Sequence, residues 1–320
     1  MMEAMTSVSA DPGITTVATA SVGSTSAGFD IDAFRRTLKY QRLATPTVLR
    51  EDLERIATLD AESEMLQKRY GMRMSLSIFG FVASIPATFF SFGAVGPWAG
   101  ILVAAVGFSA LISAIYNGRL WSKAGKTNVE DRRREIPDQL VRYLSTDMPA
   151  DAQLDLSIDF NLYTQPRYLR DTKPGGLTSS ASVRNYELPW LALKGSFVDG
   201  SRFRLQATLR VKRKEKRKRK GVKVSETFTE DVDLSVQVKP RRYERLDRAL
   251  APIRSLPNRS AYPQIVAKVS GERIELAGTA SSRFAEMVED KDEPPLGSHR
   301  SMLHLFLACY HGLSACATKG

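Results

Sequence analysis

The most constraining feature of this sequence is residues 74–118, which contain no charged side chain in a chain whose composition is 25% charged. One membrane-spanning helix needs about 20 predominantly apolar residues, so this segment is too long for one span and has the length of two. It divides at Gly93-Ala94-Val95-Gly96-Pro97, which predicts a turn between helices near 74–92 and 98–116. A buried hairpin of a soluble protein is the alternative, but such helices normally carry charge on a solvated face. We therefore predict a transmembrane hairpin.

Basic residues flank this segment and predict its orientation. They are Lys68, Arg69 and Arg73 before it, and Arg119, Lys123, Lys126 and Arg132-Arg133-Arg134 after it. Because positive flanks stay on the cytoplasmic side, we expect an integral membrane protein with both termini cytoplasmic around a short outer turn. Tyrosine and tryptophan, which prefer membrane interfaces, lie at both ends of the predicted spans: Tyr70, Tyr116 and Trp121 on one side and Trp98 on the other.

The segment before the hairpin divides into a tail and a helical region. Residues 1–30 have neither a basic n-region nor an apolar core, so we expect a disordered tail and no signal peptide. A short helix is predicted near 31–43. Thr45-Pro46 then begins a second helix whose apolar residues recur at helical spacing up to Tyr70. That stripe needs a partner, which is either residues 129–144 or another copy of the chain.

The region after the hairpin has the period-two pattern of an antiparallel sheet. Apolar and polar residues alternate near 153–164, 188–198, 201–212 and 221–239, and Asp199-Gly200 is a strong hairpin signal. These segments predict a four-stranded β-meander with one face exposed to solvent, which we call the wet face. We expect a covering helix near 241–255, a smaller hairpin of 265–269 with 273–277, and a short helix near 283–288.

The predicted fold class is an α+β membrane protein, in which a two-helix transmembrane hairpin precedes a cytoplasmic antiparallel β-meander domain with covering helices. The predicted parts are a disordered tail (1–30), a cytoplasmic helical segment (31–73), the transmembrane hairpin (74–118), a membrane-proximal helical linker (119–145), the sheet domain (146–288), an acidic linker (289–298) and a C-terminal helix (299–320). The last helix is too short for a third span, so we expect it to dock on protein or lie at an interface.

Small residues recur four apart within both predicted spans. They are Gly80, Ser84 and Thr88 in the first helix, and Ala105, Ser109 and Ser113 in the second. Four-residue spacing places each set on one helix face and lets two backbones approach closely. We predict that these faces mediate transmembrane packing, either between the two helices of one hairpin or between copies.

The strongest candidate for a binding site is a basic tract between the third and fourth predicted strands. Its basic residues are Lys212, Arg213, Lys214, Lys216, Arg217, Lys218, Arg219 and Lys220, interrupted only by Glu215. A projecting cationic tip can bind anionic lipid or nucleic acid, or serve as a nuclear import signal, and the remaining interpretation is a solvated loop. The predicted anchor makes lipid headgroups the nearest phosphates, whereas no aromatic residue in the tract supports base stacking.

No pattern in the sequence predicts catalysis, a cofactor or a metal site. On a helix His304 and His311 share one face and Cys309 and Cys316 another, about 140° apart, and neither CxxC nor HxxxH spacing is present. We therefore expect a scaffold or assembly subunit, not an enzyme. Its expected partners are anionic membrane lipids and a protein partner or homo-oligomer. An oligomeric pore or effector is the first alternative, and an enzyme acting on a lipid or nucleotide is the second.

Overall fold

The computed structural model describes residues 28–125, 129–149, 151–174, 181–218, 221–239, 242–243, 245–255, 262, 265–285 and 298–316. Within these residues the chain is an α+β fold with an antiparallel sheet and six α-helices, which confirms the α+β and antiparallel-sheet part of the predicted class. The tail up to residue 27 and the acidic linker up to residue 297 lie outside the described residues.

The helices are α1 (Ile31–Thr37), α2 (Pro46–Ala94), α3 (Pro97–Ala124), α4 (Asp131–Leu144), α5 (Leu250–Ser255) and α6 (His299–Ser314). Proline occupies the first position of both α2 and α3, where a missing N–H costs no hydrogen bond. Gly96 has a φ of +117° and allows the chain to reverse between them. By length and composition, α2 and α3 could each cross a membrane.

The strands are β1 (Lys39–Ala44), β2 (Leu154–Asp159), β3 (Leu169–Pro174), β4 (Ala181–Ser196), β5 (Arg202–Lys218), β6 (Gly221–Gln237), β7 (Ile265–Ser270) and β8 (Arg273–Ala285). Neighbouring strands are antiparallel in the order β1-β2-β4-β5-β6-β8-β7, with β3 beside the first half of β4. The predicted meander is confirmed as β2, β4, β5 and β6. The predicted smaller hairpin is β7-β8, and it extends the same sheet.

Three predicted helices differ from the structure. The helix expected near 31–43 ends at Thr37, because Leu38 has a φ of 51° and the next residues form edge strand β1 along β2. The helix expected near 241–255 is shorter, a 3-10 turn over Leu246–Ala249 followed by α5. The helix expected near 283–288 is wrong for 283–285, because β8 continues to pair with the long strand β6 up to residue 285.

One hydrophobic core covers a single face of the sheet. It joins core-facing residues of the strands with α4, α6 and the first turns of α2. Leu49, Leu53 and Ile56 of α2 are at most 2% exposed, and α4 packs beside α2. The first part of the apolar stripe predicted on this helix therefore finds its partner within the chain, whereas Leu66 farther along the stripe is exposed. Core residues come from both sides of the uncharged segment.

Two contacts show that α2 and α4 are antiparallel neighbours. Arg50 Nε lies 3.2 Å from Asp138 Oδ1. Ten residues later in α2, Asp60 Oδ1 accepts a hydrogen bond of 2.9 Å from the backbone N–H of Val129, just before α4 begins. Burial raises the pKa of Asp60, and nearby acidic side chains add to that effect.

Two further contacts fix the direction of α4 on the sheet. Arg132, in its first turn, binds Glu230 in the middle of β6 at 2.7 Å. Beyond its last turn, the carbonyl of Asp147 accepts a hydrogen bond from Val198, which follows β4. Thus α4 runs toward the β4–β5 turn, and α2 rises in the opposite direction, toward the end of the sheet that carries Lys216.

Candidate functional site: the apolar hairpin and the lysine face

The helices α2 and α3 pack through two stripes of small residues with a seven-residue period. These are Ser77, Ser84 and Ser91, which are half-buried in α2, and Gly100, Gly107 and Ala114, which are buried in α3. A seven-residue period keeps one face of each helix toward the other in a left-handed pair. At the centre, a Cβ added to Gly107 would lie 2.8 Å from the Cβ of Ser84, so only glycine allows this approach.

The six small residues predicted to pack divide between two sides of the hairpin. Four lie in or beside the contact between the helices: Gly80, Ser84, Thr88 and Ser113. Ala105 and Ser109 are exposed on the opposite side of α3. A four-residue repeat drifts around a helix, whereas the contact between two long antiparallel helices follows a seven-residue repeat. Packing of Ala105 and Ser109 against another copy stays a prediction.

The outer surface of the hairpin is apolar and exposed. The most exposed large side chains include Leu76, Phe79, Phe89, Phe90, Trp98 and Leu102, each between 68% and 79% exposed. In the most apolar stretch of α2, no residue is buried by contact with the other described residues. Soluble monomers rarely expose contiguous apolar patches larger than a few hundred Å². This surface therefore needs an apolar environment that the described residues do not supply.

The charged boundaries of the two helices lie side by side. A Cβ on Gly118 would lie 3.2 Å from Met74 Sδ, so the residues just outside this pair, Arg73 and Arg119, are level with each other. From that level to the end of α2 at Ala94 the hairpin extends about 32 Å, at 1.5 Å per residue. The hydrocarbon core of a bilayer is about 30 Å thick.

The basic tract lies in long paired strands rather than in a hairpin that projects alone. On one side of β5, strand β4 continues until Ala181 lies opposite Lys216. On its other side, β6 is itself flanked by β8 until Ala285 lies opposite Ser225. The extra pairing satisfies backbone groups that a lone hairpin would leave at its edges. Outside the described residues lie Arg219, Lys220 and the side chains of Arg217 and Lys218.

The strand period divides the tract between the two faces of the sheet. Residues directly opposite each other on neighbouring strands share a face. Lys212, Lys214 and Lys216 are exposed on the wet face; Lys223 lies opposite Lys216, and Lys173 lies opposite Val183, the β4 neighbour of Lys214. These five lysines form what we call the lysine face: Lys173, Lys212, Lys214, Lys216 and Lys223.

Acidic residues near the tract lie mostly on the other side of the sheet. Arg213 lies there and binds Glu215 at 2.9 Å and Glu226 at 3.4 Å. The Tyr163 hydroxyl donates a hydrogen bond of 2.8 Å to Glu226. Burial is the main cause that raises the pKa of Tyr163, and this hydrogen bond adds to it. Arg213, predicted with the binding residues, is thus paired away from the lysine face.

On the lysine face itself, one carboxylate is paired with a lysine. Asp171 Oδ2 lies 3.5 Å from Lys173 Nζ. The ion pairs between described residues include none of the other four lysines. Closer to the β4–β5 turn the same wet face carries Arg202 and Arg204 but also ion-paired carboxylates, with Arg210 2.8 Å from Asp231 and Lys194 2.8 Å from Asp155. The lysine face therefore has fewer carboxylate partners than the wet face near the β4–β5 turn.

Sequence reasoning missed a buried ion pair between α4 and the sheet. Glu230 is completely buried and accepts two hydrogen bonds of 2.7 Å from Arg132 and one of 3.2 Å from the Trp190 indole. The guanidinium of Arg132 also lies 5.7 Å from the centre of the Trp190 ring. The available signal was an acidic residue at a core-facing position of β6, between Phe228 and Val232. The contacts make this pair a structural link.

A second polar network closes the end of β2. Buried Asp159 accepts a hydrogen bond of 2.6 Å from Tyr168 and one of 2.7 Å from the Asn161 side chain, and Lys39 lies 3.3 Å away. Burial opposes ionisation of Asp159, but these hydrogen bonds and the lysine charge outweigh it and hold its pKa below the usual value.

Neither the potential metal ligands among the described residues nor comparison with known proteins indicates a chemical function. Within the described ranges, no group of three His, Cys, Asp or Glu residues could hold a metal ion. Cys309 and Cys316 are buried free thiols, and burial raises the pKa of Cys309 to about 12. Comparison of the chain with protein-family models, curated proteins and solved structures finds no match.

Proposed function

We propose that the chain is an integral membrane protein whose residues 74–118 cross the bilayer as a helical hairpin. The observation that carries this proposal is the exposed apolar surface of the hairpin. The hairpin is about 32 Å long, which matches a hydrocarbon core of about 30 Å. The first charged residues outside it, Arg73 and Arg119, lie side by side on the two helices. Trp98 and Tyr116 lie near its two ends, where interfacial aromatics are favourable.

The basic flanks support an orientation with both termini and the sheet in the cytoplasm. Lys68, Arg69 and Arg73 precede the hairpin, and Arg119 and Lys123 follow it, whereas the turn between the helices is uncharged. An excess of Lys and Arg marks cytoplasmic flanks. The sheet then lies on the cytoplasmic side, because it is connected to both flanks.

Within that arrangement we propose that the protein acts as a scaffold or assembly subunit. The unbroken helix α2 belongs to the core of the sheet at Leu49 and to the apolar hairpin at Leu76, so it tethers the sheet close to the membrane. The sheet then displays the lysine face to anionic lipid or to a protein partner. A pore has less support, because the contact between α2 and α3 is filled and residues 74–118 contain no ionisable acid or base except Tyr116.

Extraction of cell membranes with alkaline carbonate tests the span. We expect the wild-type chain to stay in the pellet. Val82 and Val106 are exposed near the middle of the hairpin, and an arginine there costs about 2.5–3.5 kcal/mol in lipid. Val82→Arg with Val106→Arg should therefore impair insertion, whereas the matched pair Val82→Leu with Val106→Leu should not. Release of the wild-type chain, or equal retention of both variants, would contradict a lipid-facing surface.

Purification in mild detergent tests the scaffold. A protein partner recovered in fixed stoichiometry supports it. A homo-oligomer that carries reproducible unitary currents in planar bilayers contradicts it and establishes a pore.

A further inference from the structure

The lysine face lies at the end of the sheet toward which the apolar hairpin extends. Strand β5 runs from Arg202, beside the β4–β5 turn, to the lysine-rich end. Helix α2 rises along the core toward that same end, as its contacts through α4 show. The lysine face and the span proposed above therefore lie on the same side of the molecule.

Heights along the sheet can be measured from the buried Glu230. Its partner on β5 is Leu209, and Lys216 lies seven residues farther along the strand. At about 3.3 Å per residue, Lys216 lies about 23 Å above that level.

The charged boundary of the hairpin can be placed on the same scale. Arg132 binds Glu230, and Val129, three residues earlier, binds Asp60 of α2. Arg73 lies thirteen residues beyond Asp60, so α2 rises about 20 Å over this stretch at 1.5 Å per residue, and the step from Arg132 back to Val129, which precedes α4, adds to this height. The lysine face and the charged end of the hairpin thus reach about the same height.

We propose that the lysine face binds anionic phosphate headgroups of the same membrane leaflet from which α2 and α3 emerge. This inference rests on the proposed span. Alternate lysines on a strand are about 6.6 Å apart, so several can contact neighbouring headgroups at once. Each basic side chain near an anionic surface contributes about 1 kcal/mol, which is about a five-fold gain in the bound population.

Three features favour lipid over nucleic acid as the occupant. The neighbours of the lysines across the strands are small or neutral, such as Ala181, Val183, Asn185 and Ser225, and supply no ring for base stacking. The five basic side chains of the lysine face are lysines, which lack the bidentate fork used to read bases. The height of the face places it beside a membrane surface.

The experiment uses the full chain in lipid nanodiscs with a fluorophore at Ser225→Cys, opposite Lys214. The native cysteines are buried, which favours labelling at the new site. Nitroxide lipids that carry the quencher in the headgroup report contact with the membrane surface. We expect strong quenching when the discs contain phosphatidylserine and weak quenching in purely zwitterionic discs. The same fluorophore at Ser235→Cys, opposite Arg204 on the same face, should stay unquenched.

Two matched double variants separate position from charge. Lys212→Ser with Lys214→Ser should lower the ratio of docked to undocked protein about 25-fold, from about five-fold for each lysine. Arg202→Ser with Arg204→Ser removes the same charge from the same strand and face, far from the membrane, and should leave quenching unchanged. Lys212→Arg with Lys214→Arg should retain it. An unchanged melting temperature in all three variants shows that the sheet is folded.

Three other outcomes would contradict, in turn, lipid binding by the lysine face, the identity of its ligand and the proposed span. If the protein enters discs but the label at 225 stays unquenched, or is quenched equally in zwitterionic discs, the lysine face does not bind anionic lipid, although the span stands. If duplex RNA removes the quenching at a lower phosphate concentration than added phosphatidylserine vesicles do, nucleic acid is the ligand. If the protein does not enter discs at all, the proposed function itself is wrong.

Discussion

Replacement of Gly107 by leucine should weaken the packing between α2 and α3. A Cβ at this position would lie 2.8 Å from the Cβ of Ser84 and would overlap its hydroxyl, a separation that real Cβ atoms essentially never show. The helices must move apart or the serine must change its rotamer. Overpacking of this kind costs about 1–3 kcal/mol, which lowers the ratio of closed to open hairpin about 5- to 150-fold.

Disulfide formation within the hairpin measures this effect. The hydroxyl oxygens of Ser77 and Ser113 are 3.1 Å apart, so Ser77→Cys with Ser113→Cys should cross-link rapidly under mild oxidation. Addition of Gly107→Leu should slow the reaction. Addition of Ser109→Leu should not, because Ser109 is exposed on the other side of α3. If the cysteine pair cross-links at the same rate with Gly107→Leu as with Ser109→Leu, or if only Ser109→Leu slows the reaction, the seven-residue packing face is refuted.

Three further predictions concern the core and its polar links. Glu230→Gln removes the buried negative charge that binds Arg132, so unfolding in urea should show a loss of about 3–5 kcal/mol. Leu53→Ala should lower the free energy of unfolding of the sheet by about 2–5 kcal/mol, whereas Leu66→Ala, on the exposed part of the same helix, should cost far less; equal losses would place α2 outside the core. Because the pKa of Asp159 is lower in the folded state, its contribution is present at neutral pH and is lost as pH falls from about 4 toward the folded pKa. Asp159→Asn should remove that part of the acid dependence of the melting temperature, and an unchanged dependence would contradict the assignment.

The meander was predictable because each strand carries its own signal. A strand with one buried face alternates apolar and polar residues, and such alternation is visible in β5 and β6 without knowledge of any partner. The same period divides the basic tract between two faces, although the pairing of β5 with β4 and of β6 with β8 at this end had to come from the structure.

The missed features depend on contacts between distant residues. Strand β1 exists because Lys39 and its neighbours pair with Asp159 and the rest of β2, far along the chain, and local spacing resembled a helix. The face of α3 that meets α2 depends on how two long helices wind around each other. The pairing of Arg132 with Glu230 requires α4 to lie on the sheet, which neither residue signals alone.

The measurement that tests the central claim most directly is the labelling of single cysteines in intact cells with a membrane-impermeant maleimide. Ala94→Cys lies at the turn between α2 and α3, and Ser225→Cys lies on the sheet beside the lysine face. If the hairpin crosses the membrane with both termini in the cytoplasm, Ala94→Cys reacts from outside, whereas Ser225→Cys reacts only after the cells are permeabilised. Reaction of Ser225→Cys in intact cells, or protection of Ala94→Cys until permeabilisation, would contradict the account.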